Sequence, residues 1–158
     1  MQAMTESQTL ILPNPEATQR LGTLLGRLVQ KGDVLLLHGD LGAGKTTLTQ
    51  GLAQGLDIND RITSPTFALL HEYEGRLPLF HFDLYRLDSP DLSQLGFEEI
   101  WEDGHGVVVI EWPERLGEHG PAEHLDVTLS IQEDGRLATL TATGDRPRHL
   151  LKELALAW

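Results

Sequence analysis

The segment His38 to Thr47, HGDLGAGKTT, constrains the possible folds of this chain more than any other stretch. Gly39-Asp40-Leu41-Gly42-Ala43-Gly44-Lys45-Thr46 satisfies the pattern of a phosphate-binding loop: glycine, four residues, glycine, lysine, then threonine or serine. Glycine makes up about 7% of average usage, so a chance match in a chain this long arises roughly one time in a hundred. Before the loop stands DVLLLH, a short apolar run of the kind buried on both faces of a parallel sheet. After it, Leu48, Leu52 and Leu56 share one face of a predicted helix. Glycines are required because consecutive backbone N–H groups must turn inward around phosphate oxygens, where a side chain would clash or forbid the dihedral. Lys45 would then bridge the outer phosphates and the Thr46 hydroxyl would take a magnesium position. The alternative is a glycine loop that only caps a helix.

Elsewhere the pattern alternates. TLILPN reads as a first strand, and Asn14-Pro15 offers an N-cap and a first-turn proline for a helix carrying Leu21, Leu24, Leu25 and Leu28, with Gly32 as its stop. TFALLHEY and LPLFHFDLYRL read as two strands joined by a tight turn, and SPDLSQLGFEEIWEDG as one or two short acidic helices. GVVVIEW is another buried strand, and DVTLSIQ and LATLTAT form a hairpin around Asp134-Gly135. The expected architecture is α/β: a phosphate-loop, three-layer fold with a mostly parallel central sheet, antiparallel additions and a C-terminal β-hairpin.

The chain has 158 residues, which predicts one domain spanning 1–158. A formal charge of −12 argues against direct contact with DNA or RNA, since affinity for a polyphosphate backbone rests on cationic neutralisation. There is no cysteine, hence no disulfide, thiolate metal site or cysteine nucleophile. No secretion signal or membrane-length apolar run is visible, and the expected location is the cytoplasm.

Acidic residues decide what is done with a bound triphosphate. Asp83, in HFDLYRL, and Glu111, in VVVIEWPE, stand at predicted strand ends, and four apolar residues running into an acid is the form of a metal-holding strand, which favours Glu111. Either acid could equally cap a helix or face solvent. Ser64 and Thr66, in SPTF, lie in the loop where switch segments are found, although residue pattern alone favours an ordinary turn. Trp112 is core packing or a partner-facing platform, with packing favoured on pattern. Arg86 reads as structural or solvated. His38, His71 and His81 sit singly in strands and read as structural.

With GDLGAGKTT, SPTF, HFDLYRL, LGFEEI and VVVIEWPERL in this order, the chain closely resembles the TsaE family, also called YjeE, small bacterial ATPases of tRNA threonylcarbamoyladenosine synthesis. The resemblance runs from about Glu16 to Arg115. It implies that Lys45 and Thr46 contact phosphate and magnesium, that Thr66 belongs to a switch-like loop, and that Asp83 and Glu111 are the family's two acids, Glu111 being associated with the metal. It raises Trp112 from packing to function and places Thr18 near the base of the nucleotide. Family members work with TsaD and TsaB on adenosine 37 of tRNA, so ATP and magnesium are the implied cofactors and tRNA is met only indirectly. The implied role is hydrolysis that drives turnover of the TsaD–TsaB complex, slow in the isolated chain because no arginine finger is visible.

Two other readings compete. A small-molecule kinase needs an arginine-bearing lid, and Leu87 to Gly106 contains no arginine or lysine. A binding module locked by nucleotide without hydrolysis is opposed by the paired acids. A GTPase is disfavoured because the chain has no Asn-Lys-x-Asp segment.

Overall fold

The computed structural model describes residues 5–40, 42–60, 70–84 and 97–158. In chain order they form β1 (Thr5–Leu12), α1 (Pro15–Leu28), β2 (Val34–His38), α2 (Lys45–Gly55), β3 (Leu70–Tyr73), β4 (Leu79–Asp83), α3 (Phe97–Asp103), β5 (Val107–Glu111), a 3-10 helix (Pro113–His119), β6 (His124–Gln132), β7 (Gly135–Thr143) and α4 (Asp145–Ala157).

The strands make one mixed sheet in the order β1-β7-β6-β2-β5-β4-β3. Its centre, β6-β2-β5-β4, is parallel. Both flanks are antiparallel, β1 and β7 on one side and β3 on the other. The parallel character expected from the sequence is therefore confined to the middle of the sheet, and the antiparallel additions lie at both edges. Gln132 pairs with Gly135, so the hairpin turns at Glu133-Asp134, one residue earlier than the sequence suggests.

Alternation along β2 and β5 divides the core in two. Leu35, Leu37, Val107 and Val109 pack with Leu21 and Leu25 of α1, Leu48 and Leu52 of α2, and Leu150, Leu151 and Leu154 of α4. Val34, Leu36, Val108 and Ile110 join Phe82, Trp101 of α3 and Leu116 of the 3-10 helix on the opposite side. Helices thus cover both faces, and the three layers follow directly from runs apolar at every position.

The Asn14 side chain accepts a hydrogen bond from the Ala17 amide and Pro15 opens α1, as its sequence predicts. The helix nevertheless ends at Leu28 rather than at Gly32. Arg76 donates to the Gly26 and Val29 carbonyls, and Arg146 donates to Leu28 while forming a bidentate pair with buried Asp33. Two guanidinium groups from distant parts of the chain satisfy the last carbonyls, a role a glycine cap would otherwise fill. The tail also carries α4, an element absent from the sequence-based expectation.

Candidate functional site

Three glycines of the loop between β2 and α2 take left-handed dihedrals: Gly39 with φ +149°, Gly42 with +82° and Gly44 with +112°. L-residues pay for such values, so the motif's glycines are a backbone requirement. Gly44 is the N-cap of α2 and provides no side-chain hydrogen bond, and the first turn of α2 carries no acid. The helix therefore presents free amide donors and the positive end of its dipole to the loop, a ready site for an anion.

Lys45 begins α2 and is only 6% exposed. Its Nζ has no hydrogen-bond partner among the described residues and lies 4.0 Å from the centroid of the Trp112 ring. A buried ammonium without a hydrogen-bond partner among the described residues has donors left for an anion's oxygens. Thr46 is exposed beside it, and Thr47 lines a cavity of about 280 Å³ together with Thr18, Pro13, Pro15, Gly42, Gly44 and Arg136. Thr18 is buried, and its Cγ2 lies 3.5 Å from where a Cβ on Gly44 would stand. The cavity joins the loop to the residue expected near the base.

On the other side, β4 and β5 run in parallel with Asp83 opposite Glu111. By strand alternation His81, Asp83 and Glu111 share the face covered by α2. The His81 Nε2 and the Glu111 Oε2 stand 2.6 Å apart with both side chains nearly fully buried. An ionised carboxylate only accepts, so the imidazole donates. Trp112 follows with φ +59°, a left-handed conformation rare for a bulky residue, and its ring also packs against the Phe82 side of the core.

Among the described residues, no three His, Asp or Glu side chains converge as a self-sufficient metal cage. A threonine hydroxyl with one or two carboxylates suits magnesium, which keeps waters and takes its remaining oxygens from phosphate. The residues present therefore fit a nucleotide phosphate with a hard cation.

The structure thus gathers Gly39, Asp40, Gly42, Ala43, Gly44, Lys45, Thr46, Thr47 and Trp112 around the loop, brings Thr18 to its cavity, and sets Asp83 beside Glu111. Leu41, Ser64, Thr66 and Arg86 lie outside the described residues. Two residues escaped the sequence reading. His81 was legible only as the polar residue two before Asp83 on one strand face. Arg136, just past the hairpin turn, donates to the Gly42 carbonyl across 3.3 Å and lines the cavity, a placement that strand periodicity cannot reveal.

A seven-stranded mixed sheet with helices on both faces, and a left-handed glycine loop leading into the N-terminus of a helix, define an α/β protein with an anion-receptive loop between β2 and α2. The family profile described as threonylcarbamoyl adenosine biosynthesis protein TsaE matches residues 12–138. The chain belongs to this TsaE family. It is 47% identical over 137 residues to a protein of Nostoc sp. called tRNA threonylcarbamoyladenosine biosynthesis protein TsaE, covering 84% of each chain. A Bacillus subtilis protein of the same name is 42% identical over 144 residues, with 90% of each covered. The crystal structure of Bacillus subtilis YdiB superposes with a TM-score of 0.77 at 36% identity, covering 99% of this chain and 98% of that one.

Proposed function

We propose that this chain is a single-domain, cytoplasmic ATPase that binds ATP with magnesium and hydrolyses it to drive turnover of a TsaD–TsaB complex in threonylcarbamoyladenosine modification of tRNA. The observation that carries the reading is the buried Lys45 ammonium at the head of α2, which has no hydrogen-bond partner among the described residues, beside a loop whose three described glycines are left-handed. Such a charge calls for an anionic ligand, and the spacing of the loop is that of a triphosphate cradle. Family membership supports the pathway, because the relatives' names place them in tRNA threonylcarbamoyladenosine biosynthesis.

Water attacks the γ-phosphorus, the bond from that phosphorus to the β,γ-bridging oxygen breaks, and ADP departs with the electron pair. Gly39 to Thr47 hold the phosphates, and Lys45 offsets charge on the transferred group. Thr46 and Glu111 would hold magnesium, which would supply positive charge to offset that of the phosphates. Asp83 orients the attacking water. Thr18 and Arg136 flank the nucleoside. Catalysis of this kind is mostly positioning and electrostatic stabilisation. Ser64, Thr66 and Trp112 are the residues assigned to sensing the γ-phosphate or to facing partners. With tRNA met only through the complex, an acidic surface is no obstacle, and neither DNA nor a membrane is a partner; no helix among the described residues is long and apolar enough to cross a bilayer.

The test is ATP hydrolysis by the purified chain, alone and with TsaD and TsaB, with Lys45→Ala as control. Stimulation abolished by the substitution supports the reading. Hydrolysis that partners leave unchanged removes TsaD–TsaB from it, and no hydrolysis in either condition replaces the ATPase with a nucleotide-locked binding module.

A further inference from the structure

His81 and Glu111 are thirty residues apart in sequence, on neighbouring parallel strands, and meet diagonally because Asp83 and not His81 is the register partner of Glu111. The contact is short, at 2.6 Å, and the two side chains are 2% and 5% exposed. It engages Oε2 of the carboxylate, while Nδ1 of the imidazole is buried without a partner among the described residues. A buried imidazole whose one hydrogen bond among the described residues goes to a single carboxylate has its ring packed and its donor aimed. Glutamate has three rotatable bonds, so a locked donor on one oxygen removes most of the freedom of the other.

We propose that His81 is a positioning residue of the metal site: it holds Glu111 in one rotamer by Oε2 and thereby reserves Oε1 for a divalent cation. The inference rests on the proposed function, in which Glu111 and Thr46 hold magnesium. His81 touches neither nucleotide nor metal. It acts through Glu111, as the outer partners of metal-bound carboxylates do, and loss of such partners commonly costs 10- to 100-fold in metal affinity.

The test uses the full chain, ADP and Mn²⁺, a paramagnetic stand-in for magnesium. Affinity of Mn²⁺ for the protein–ADP complex is read from the free-ion resonance signal, and ADP affinity in excess chelator from calorimetry, for wild type, His81→Gln, His81→Asn and His81→Leu. The glutamine amide places a donor near the position of Nε2, whereas the asparagine amide stops short of it. The expected result is Mn²⁺ affinity within about threefold of wild type for His81→Gln, and weakened about tenfold or more for His81→Asn and His81→Leu. ADP affinity without metal stays the same in all four. Should His81→Leu fail to fold, the glutamine and asparagine pair carries the comparison. Normal Mn²⁺ affinity in His81→Asn overturns the inference, as does equal loss in both amide variants or a parallel loss of metal-free ADP affinity, each of which makes His81 a packing residue. A wild type that binds no ADP overturns the proposed function itself, so the two failures are distinct.

Discussion

Lys45 shows how a site can be arranged at a cost to stability. The Trp112 ring, 4.0 Å away, attracts the ammonium by about 2 kcal/mol when both are desolvated. Removing an ion from water costs several kcal/mol, so the attraction does not cover the loss. Lys45→Met keeps the stem and deletes the charge. Its thermal midpoint without nucleotide is expected to rise, by the equivalent of about 1 kcal/mol, while ATP hydrolysis disappears. A midpoint that falls instead would mean that the ring contact outweighs desolvation. Trp112 is itself held at φ +59°, a conformation costing on the order of 1 to 3 kcal/mol in a residue without special tolerance. At this scale the loop's glycines were legible, since the three described ones take the positive φ that their spacing calls for. The His81–Glu111 bond was not, because a strand's period says which face a residue takes and nothing about which residue of another strand lies within 2.6 Å.

Helices α1 and α2 approach each other through glycines at four-residue spacing, Gly22 and Gly26 on one and Gly51 and Gly55 on the other. A Cβ on Gly51 would stand 2.3 Å from the Gln19 carbonyl oxygen, and one on Gly22 would stand 2.1 Å from that of Leu48. Backbone cannot yield as a flexible side chain can, so the close approach is obligatory. It also fixes the helix whose head carries Lys45. Alanine gains up to about 1 kcal/mol in helix propensity, but overpacking against backbone costs about 1 to 3 kcal/mol. Gly51→Ala is therefore expected to destabilise by about 2 kcal/mol in urea unfolding, with weakened ADP binding. Unaltered stability would show that the two helices part without resistance. The glycines are visible in the sequence, yet nothing there says that they face one another. The final helix α4 carries its own apolar face in Leu150, Leu151 and Leu154, and its stop and start are weakly marked, since neither cap bonds through a side chain. Its place in the core came from packing.

Across the whole molecule, β2 and β6 are tied at one edge of their shared face by Asp126, which accepts from His38 at 2.7 Å and from His124 at 3.1 Å. Burial pushes the Asp126 carboxyl up, but the hydrogen bonds from His124 and His38 outweigh it and hold the group below its ordinary value of 3.8. The hydrogen bond from Asp126 is the main cause that raises His124 above 6.5, against the lowering effect of burial. The lowered acid contributes stability above pH 3.8 that is lost as pH falls through its folded value. The raised histidine contributes stability that is complete below pH 6.5 and is lost as pH rises through its folded value. The stability gap between wild type and Asp126→Asn is thus expected to be widest between these two limits and to narrow toward alkaline pH, as followed by thermal unfolding across a pH series. A gap independent of pH would show that the cluster acts by packing alone.

The amino-acid sequence by itself determined the class of fold and the phosphate loop. Alternating runs of apolar strand and amphipathic helix admit few arrangements, and left-handed glycines beside a lysine serve little else. Tertiary structure alone decided that the parallel character stays in the middle of the sheet, that two arginines end α1, that Arg136 reaches Gly42, and that His81 grips Glu111. Each of these depends on distances between residues far apart in the chain. A local pattern carries the period of its own element, whereas register and the packing of one layer on another are set only when all the layers bury their apolar faces together.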